Sequence, residues 1–219
     1  MLIDKKFKGL VKEDFRYVFK GDIETTESLE VDLDMVLFVT GSINAGGSIK
    51  AGGSIKAGGS IEAGWSIEAG WSIKAGRDIE AGGYIEAGWS IEAGWSIEAG
   101  GYIEAGGSIE AGWSIKAGGS IEAGGSIEAG GSSGIVAGLS ITCKGTLSFG
   151  LKAFAGICSW REISEEEKTI TCEKFNGGVV EYGILKETGL EEDRKIELSM
   201  EEIAQKFGVD VKDLKIKKG

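Results

Sequence analysis

Residues 60–77 read Ser-Ile-Glu-Ala-Gly-Trp, Ser-Ile-Glu-Ala-Gly-Trp, Ser-Ile-Lys-Ala-Gly-Arg, and this six-residue phrase decides the fold. Fifteen isoleucines stand six apart from Ile43 to Ile127, each followed by alanine two residues on and glycine three residues on. Self-similarity at a short fixed period marks stacked units that bury one another, so the chain reads as a solenoid. Within one hexad, alternation sends isoleucine and alanine to one side and serine and glutamate to the other, the period of a short half-buried strand. A helix is excluded, because two glycines per six residues cost roughly 2 kcal/mol relative to alanine and the apolar positions form no continuous stripe.

The first glycine, from Gly46 and Gly52 to Gly130, never varies, whereas the next position accepts Gly, Trp or Arg. The expected cause is a tight corner that holds the first glycine at positive φ, with an ordinary backbone at its neighbour. Each hexad then gives one strand and one bend. Three hexads close a triangular coil of about 18 residues, with rungs about 4.8 Å apart. At a separation of 18 residues Tyr84 lies on Tyr102, Trp71 on Trp89, and Trp95 on Trp113, with Arg77 one rung from Trp95. A separation of 24 aligns as many aromatic pairs but loses the tyrosines and widens the core beyond what isoleucine and alanine fill, so 18 is favoured. Handedness stays open.

The expected class is mainly β: a parallel β-helix with a small α+β cap at its C-terminal side. Residues 1–41 read as an N-terminal cap with irregular first coils, in which Val31 and Leu37 lead into Ile43 in one register. Residues 42–131 are the regular hexads. Residues 132–159 are irregular coils after a break at Ser132-Ser133-Gly134, where Ile135 arrives eight residues after Ile127. Residues 160–219 read as the α+β module. In it, Thr169 to Lys174 and Val179 to Leu185 around Asn176-Gly177 suggest a hairpin, and Ser199 with Glu202 caps a helix through Phe207. Residues 211 to 216 add a strand. Irregular ends suit a solenoid, whose open strand edges otherwise recruit other chains.

A net charge of -11 argues against a nucleic-acid binder that works by neutralising phosphates. With no histidine and three cysteines in no paired motif, no metal site and no cofactor are expected, and Cys143 reads as a small core residue in the alanine slot. Neither a leader nor a membrane span is indicated, which makes a cytoplasmic location the default. Gly-Gly every six residues belongs to corners and not to a phosphate loop. The period resembles that of hexapeptide acyltransferases, but that family relies on a catalytic histidine, and the chain reads as no enzyme.

What remains is surface. Glutamates form columns at 18-residue spacing: Glu62, Glu80 and Glu98; Glu68, Glu86, Glu104 and Glu122; Glu92, Glu110 and Glu128. A solvated charged face explains these, or they imitate the phosphates of a duplex and occupy the basic groove of a nucleic-acid-binding enzyme. Acidic pentapeptide-repeat solenoids look similar in this respect, although their period differs. Trp65, Trp71, Trp89, Trp95 and Trp113, with Arg77, Tyr84 and Tyr102, have the makeup of a partner-binding hot spot alongside Glu80, Glu86, Glu98 and Glu104. Self-stacking that shields the glycine corners accounts for the same aromatics. Over residues 30 to 158 the repeat style resembles bactofilin-type polymer-forming proteins, a resemblance that implies a self-assembling scaffold. A duplicated or engineered repeat with no specific partner is a further reading. The leading expectation is a monomeric or dimeric binding protein for a protein partner.

Overall fold

The computed structural model describes residues 1–131 and 133–189, which form one compact unit. The helix and strand expected between residues 199 and 216 lie outside the described residues. Among the described residues three sheets of nine, ten and ten strands, parallel but for one pair, make the faces of a prism. Successive hexads take the faces in turn. We call first the face holding Ile43–Ala45 and Ile61–Ala63, second the face holding Ile49–Ala51 and Ile67–Ala69, and third the face holding Ile55–Ala57 and Ile73–Ala75. Ile61 pairs with Ile79 and Ile73 with Ile91, so one coil is 18 residues through the uniform stretch.

Isoleucine and alanine point inward on every face, and the repeat isoleucines are almost fully excluded from water. One buried isoleucine per rung and face is worth about 1.5–3 kcal/mol over leaving it exposed, which is what compensates three-residue strands for their length. Hydrogen bonds continue around the corners: Gly64 N–H donates to Ala45 O at 2.9 Å, and Ser60 N–H to Ser42 Oγ at 3.1 Å. Among the described residues no buried side-chain polar atom lacks a partner.

The invariant glycine has a different cause from the one the sequence suggests. None of the repeat glycines has positive φ; the glycines that do are Gly9, Gly21, Gly156, Gly177, Gly178 and Gly183, all outside the uniform coils. At every invariant glycine but Gly52 the constraint is approach between rungs. A Cβ on Gly64 would lie 2.2 Å from the carbonyl oxygen of Gly46, and one on Gly88 would lie 2.2 Å from that of Gly70. At the next position a Cβ on Gly101 or Gly119 meets nothing closer than 3.3 Å, the closer approaches at Gly59, Gly83 and Gly125 are to a serine hydroxyl that can turn away, and tryptophan stands there in five hexads.

Two residues are inserted before Val36–Val39, so Ile23 pairs with Ile43 twenty residues on. Leu29, not Val31, takes the isoleucine slot opposite Ile49, and Val31 takes the alanine slot opposite Ala51. A second two-residue insertion at the Ser132-Ser133 break puts Ile135 opposite Ile115. Cys143 lies in the alanine slot opposite Ala123. On the third face the N-terminal side closes with an antiparallel pair, Leu10–Glu13 against Arg16–Phe19.

The expected hairpin after residue 168 does not form. Thr169–Cys172 lies parallel to Ile141–Cys143, Lys174–Asn176 to Thr146–Ser148, Val179–Tyr182 to Lys152–Ala155, and Ile184–Glu187 to Thr169–Cys172. Gly177 and Gly178, at φ 90° and 66°, turn the chain from one face to the next instead of folding it back. Residues 156–168 make a long excursion that ends in a single 3-10 turn, Glu166–Lys168, where Arg161 holds Glu167 at 3.0 Å.

Candidate functional site

The middle residue of each strand points outward and builds one column per face. On the first face the column reads Glu24, Asn44, Glu62, Glu80, Glu98, Lys116. On the second it reads Glu30, Lys50, Glu68, Glu86, Glu104, Glu122. On the third it reads Phe38, Lys56, Lys74, Glu92, Glu110, Glu128. Two adjacent coils, residues 79–93 and 97–111, therefore carry glutamate at all six outward mid-strand positions, while lysines occupy coils on either side.

The residues expected to form one binding surface fall into two groups. At the vertex joining the first and second faces stand Trp65, Tyr84 and Tyr102, flanked by Glu80 and Glu98 on one side and Glu86 and Glu104 on the other. The tyrosine rings stack at 4.8 Å, nearly parallel. The Tyr84 hydroxyl donates to Glu68, and that of Tyr102 to Glu86 at 3.2 Å. The remaining aromatics frame the third face instead: Trp71 and Trp89 stack at 6.2 Å along one edge, and Trp95 and Trp113 at 5.7 Å along the other. Arg77 continues that second edge, its guanidinium 5.9 Å from the Trp95 ring. A single flat partner cannot touch all five tryptophans, because they lie on three vertices of a prism. All five are exposed, from 44% for Trp95 to 71% for Trp65.

Electrostatics follow the columns. Burial, reinforced by Glu62, Asp78 and Glu98, holds the Glu80 carboxyl above its ordinary range. Glu68 is held below it by the Tyr84 hydroxyl and by Lys50, whose Nζ lies 3.3 Å away. Partial burial and the bond to Glu86 push the Tyr102 phenol up to about 12. Glycine-floored grooves run beside the outward columns of the first and third faces, along Gly46, Gly64, Gly82 and along Gly76, Gly94, Gly112. Burial pushes the Cys143 thiol up to about 11, so it is inert near neutral pH. Among the described residues no three His, Cys, Asp or Glu side chains converge as a metal site, and no helix is long and apolar enough to cross a membrane.

Two features escaped the sequence reading. Phe38 heads the third column with Arg16 5.1 Å and Lys56 5.4 Å from its ring. The third column also changes sign along its length. That change is legible once lysines are placed by the same 18-residue arithmetic as glutamates. Compared with family models, with curated proteins and with solved structures, the chain matches none.

Proposed function

We propose that the protein is a non-catalytic binding rod that presents its acidic first and second faces, and the aromatic vertex between them, to a protein partner with a basic groove. The observation that carries this reading is the pair of central coils with glutamate at every outward mid-strand position. Two carboxylates per rung of about 4.8 Å on these two faces amount to roughly one negative charge per 2.4 Å of axis, of the same order as the about 1.7 Å of duplex DNA. A groove that selects a polyanion by charge density would accept such a rod. Trp65, Tyr84 and Tyr102 supply the apolar contact that carbohydrate and phosphate lack.

End-to-end assembly of the bactofilin kind is less well supported, because on the third face the Leu10–Glu13 strand runs opposite to the parallel strands that a continuing coil would need. The test is capture of nucleic-acid-binding proteins by the wild-type chain and by E80K/E86K/E98K/E104K. The expected result is at least a tenfold loss in the variant, with duplex DNA and added salt displacing the wild-type partner. Equal capture by both proteins, indifferent to DNA, would overturn the reading.

A further inference from the structure

We infer that the third face is a homodimer interface on which two copies pack face to face with their axes antiparallel. This goes beyond the proposed binding role and uses a different face. The third column reads Lys56, Lys74, Glu92, Glu110 through four consecutive rungs. Read backwards, it is its own charge complement. A two-fold axis lying in the interface, across the rods and midway between the rungs of Lys74 and Glu92, sets Lys56 against the second copy's Glu110 and Lys74 against its Glu92.

The same axis also orders both edges of the face, which the charges alone do not require. On the edge toward the first face it sets Arg77 against the second copy's Trp95, a cation opposite an indole, and Trp113 against the second copy's Gly59, a bulky side chain opposite none. On the edge toward the second face it sets Trp71 against the second copy's Trp89. One rung further out, Phe38 and the Arg16 guanidinium beside it meet the second copy's Glu128. An isologous interface has this property: every contact appears twice, and each residue's partner is fixed by one operator.

The other arrangements fail on charge. A two-fold along the rod would stack each lysine and each glutamate on its own copy. The first and second faces each offer a single lysine among glutamates in the same stretch, so neither is self-complementary. Six rungs at about 4.8 Å give a contact about 29 Å long, at the small end of stable interfaces, so the dimer should dissociate on dilution. Exposed tryptophan on two edges of one face is also the composition that such contacts favour.

Sedimentation equilibrium of the full chain over a concentration series tests this. The wild type is expected to form a dimer that weakens as salt rises. K56E/K74E and E92K/E110K, each carrying one sign along the column, should each sediment as monomers at concentrations where the wild type is dimeric. Mixed in equal amounts they should recover the dimer, an outcome that misfolding of either variant could not produce. A wild type that stays monomeric at several hundred micromolar, variants that dimerise as the wild type does, or a mixture that stays monomeric would each overturn the inference. Partner capture depends on Glu80, Glu86, Glu98 and Glu104 on the other two faces, so the two ideas fail separately.

Discussion

At the first glycine of each hexad, a single added carbon decides between two explanations that sequence alone cannot separate. Invariance looks the same whether a residue must adopt positive φ or must let another backbone come close. The relevant distance lies between rungs, where a Cβ on Gly100 would sit 2.2 Å from the Gly82 carbonyl oxygen. Gly100→Ala should therefore cost roughly 1–3 kcal/mol or more, the usual range for forcing extra atoms into a packed site. Gly119→Ala, with its nearest neighbour at 3.3 Å, should stay within about 1 kcal/mol of wild type, helped by the lower entropy of its unfolded chain. Urea unfolding of the two variants checks the contrast. Similar losses at both positions would mean that backbone conformation, and not approach, governs the repeat.

A column of like charges is an element in its own right, and Glu80 and Glu68, in neighbouring columns, are shifted in opposite directions by their surroundings. Neighbouring carboxylates about 5 Å apart repel by under about 1 kcal/mol in water. Glu80 has such neighbours above and below, and its raised folded pKa means that its charge opposes folding once the pH exceeds that value. Glu80→Gln should then be slightly more stable than wild type near pH 7, by less than about 1 kcal/mol because the site is open to solvent. The advantage should fade as the pH falls through the raised folded value toward the ordinary carboxylate range. Glu68 has the opposite sign. Its depressed pKa contributes stability above the unfolded value that is lost as pH falls through the folded one, so Glu68→Gln should be mildly destabilised near neutrality and equal to wild type in acid. Thermal melts from pH 3 to 7 read both. The columns could be written from the 18-residue spacing, and so could the vertex that each tryptophan occupies, but reading exposed aromatics as one hot spot passed over that arithmetic. Five tryptophans read as one cluster therefore separate onto three vertices.

For the molecule as a whole, a quasi-one-dimensional stack predicts that length is adjustable in units of a coil and not of a hexad. Excising residues 97–114 leaves Ser96 joined to Ile115 with every later strand on its original face. Stability should drop by about one rung's share, roughly a tenth of the total. Excising only residues 97–102 rotates everything after them by one face, carrying the insertion at the Ser132-Ser133 break to the corner between the second and third faces, which is widened before Val36–Val39 but not in the coil it would stack on. The loss should be several times larger, measured as the midpoint of thermal unfolding by circular dichroism. The coil was legible because the repeat is long enough to show its period. The strands from Thr169 to Glu187 were not, since Asn176-Gly177 announces a bend and the sequence does not say whether a bend ends in a hairpin or in the next face of a prism. The antiparallel pair Leu10–Glu13 and Arg16–Phe19 has a further bearing, on the order of events in synthesis. It lies on the side of the stack that leaves the ribosome first, and each later coil finds its whole template already laid down when it emerges. At about 5–20 residues per second, a coil is completed every few seconds at most, so the topology lets the polypeptide wind in the direction, and at the pace, in which it is made.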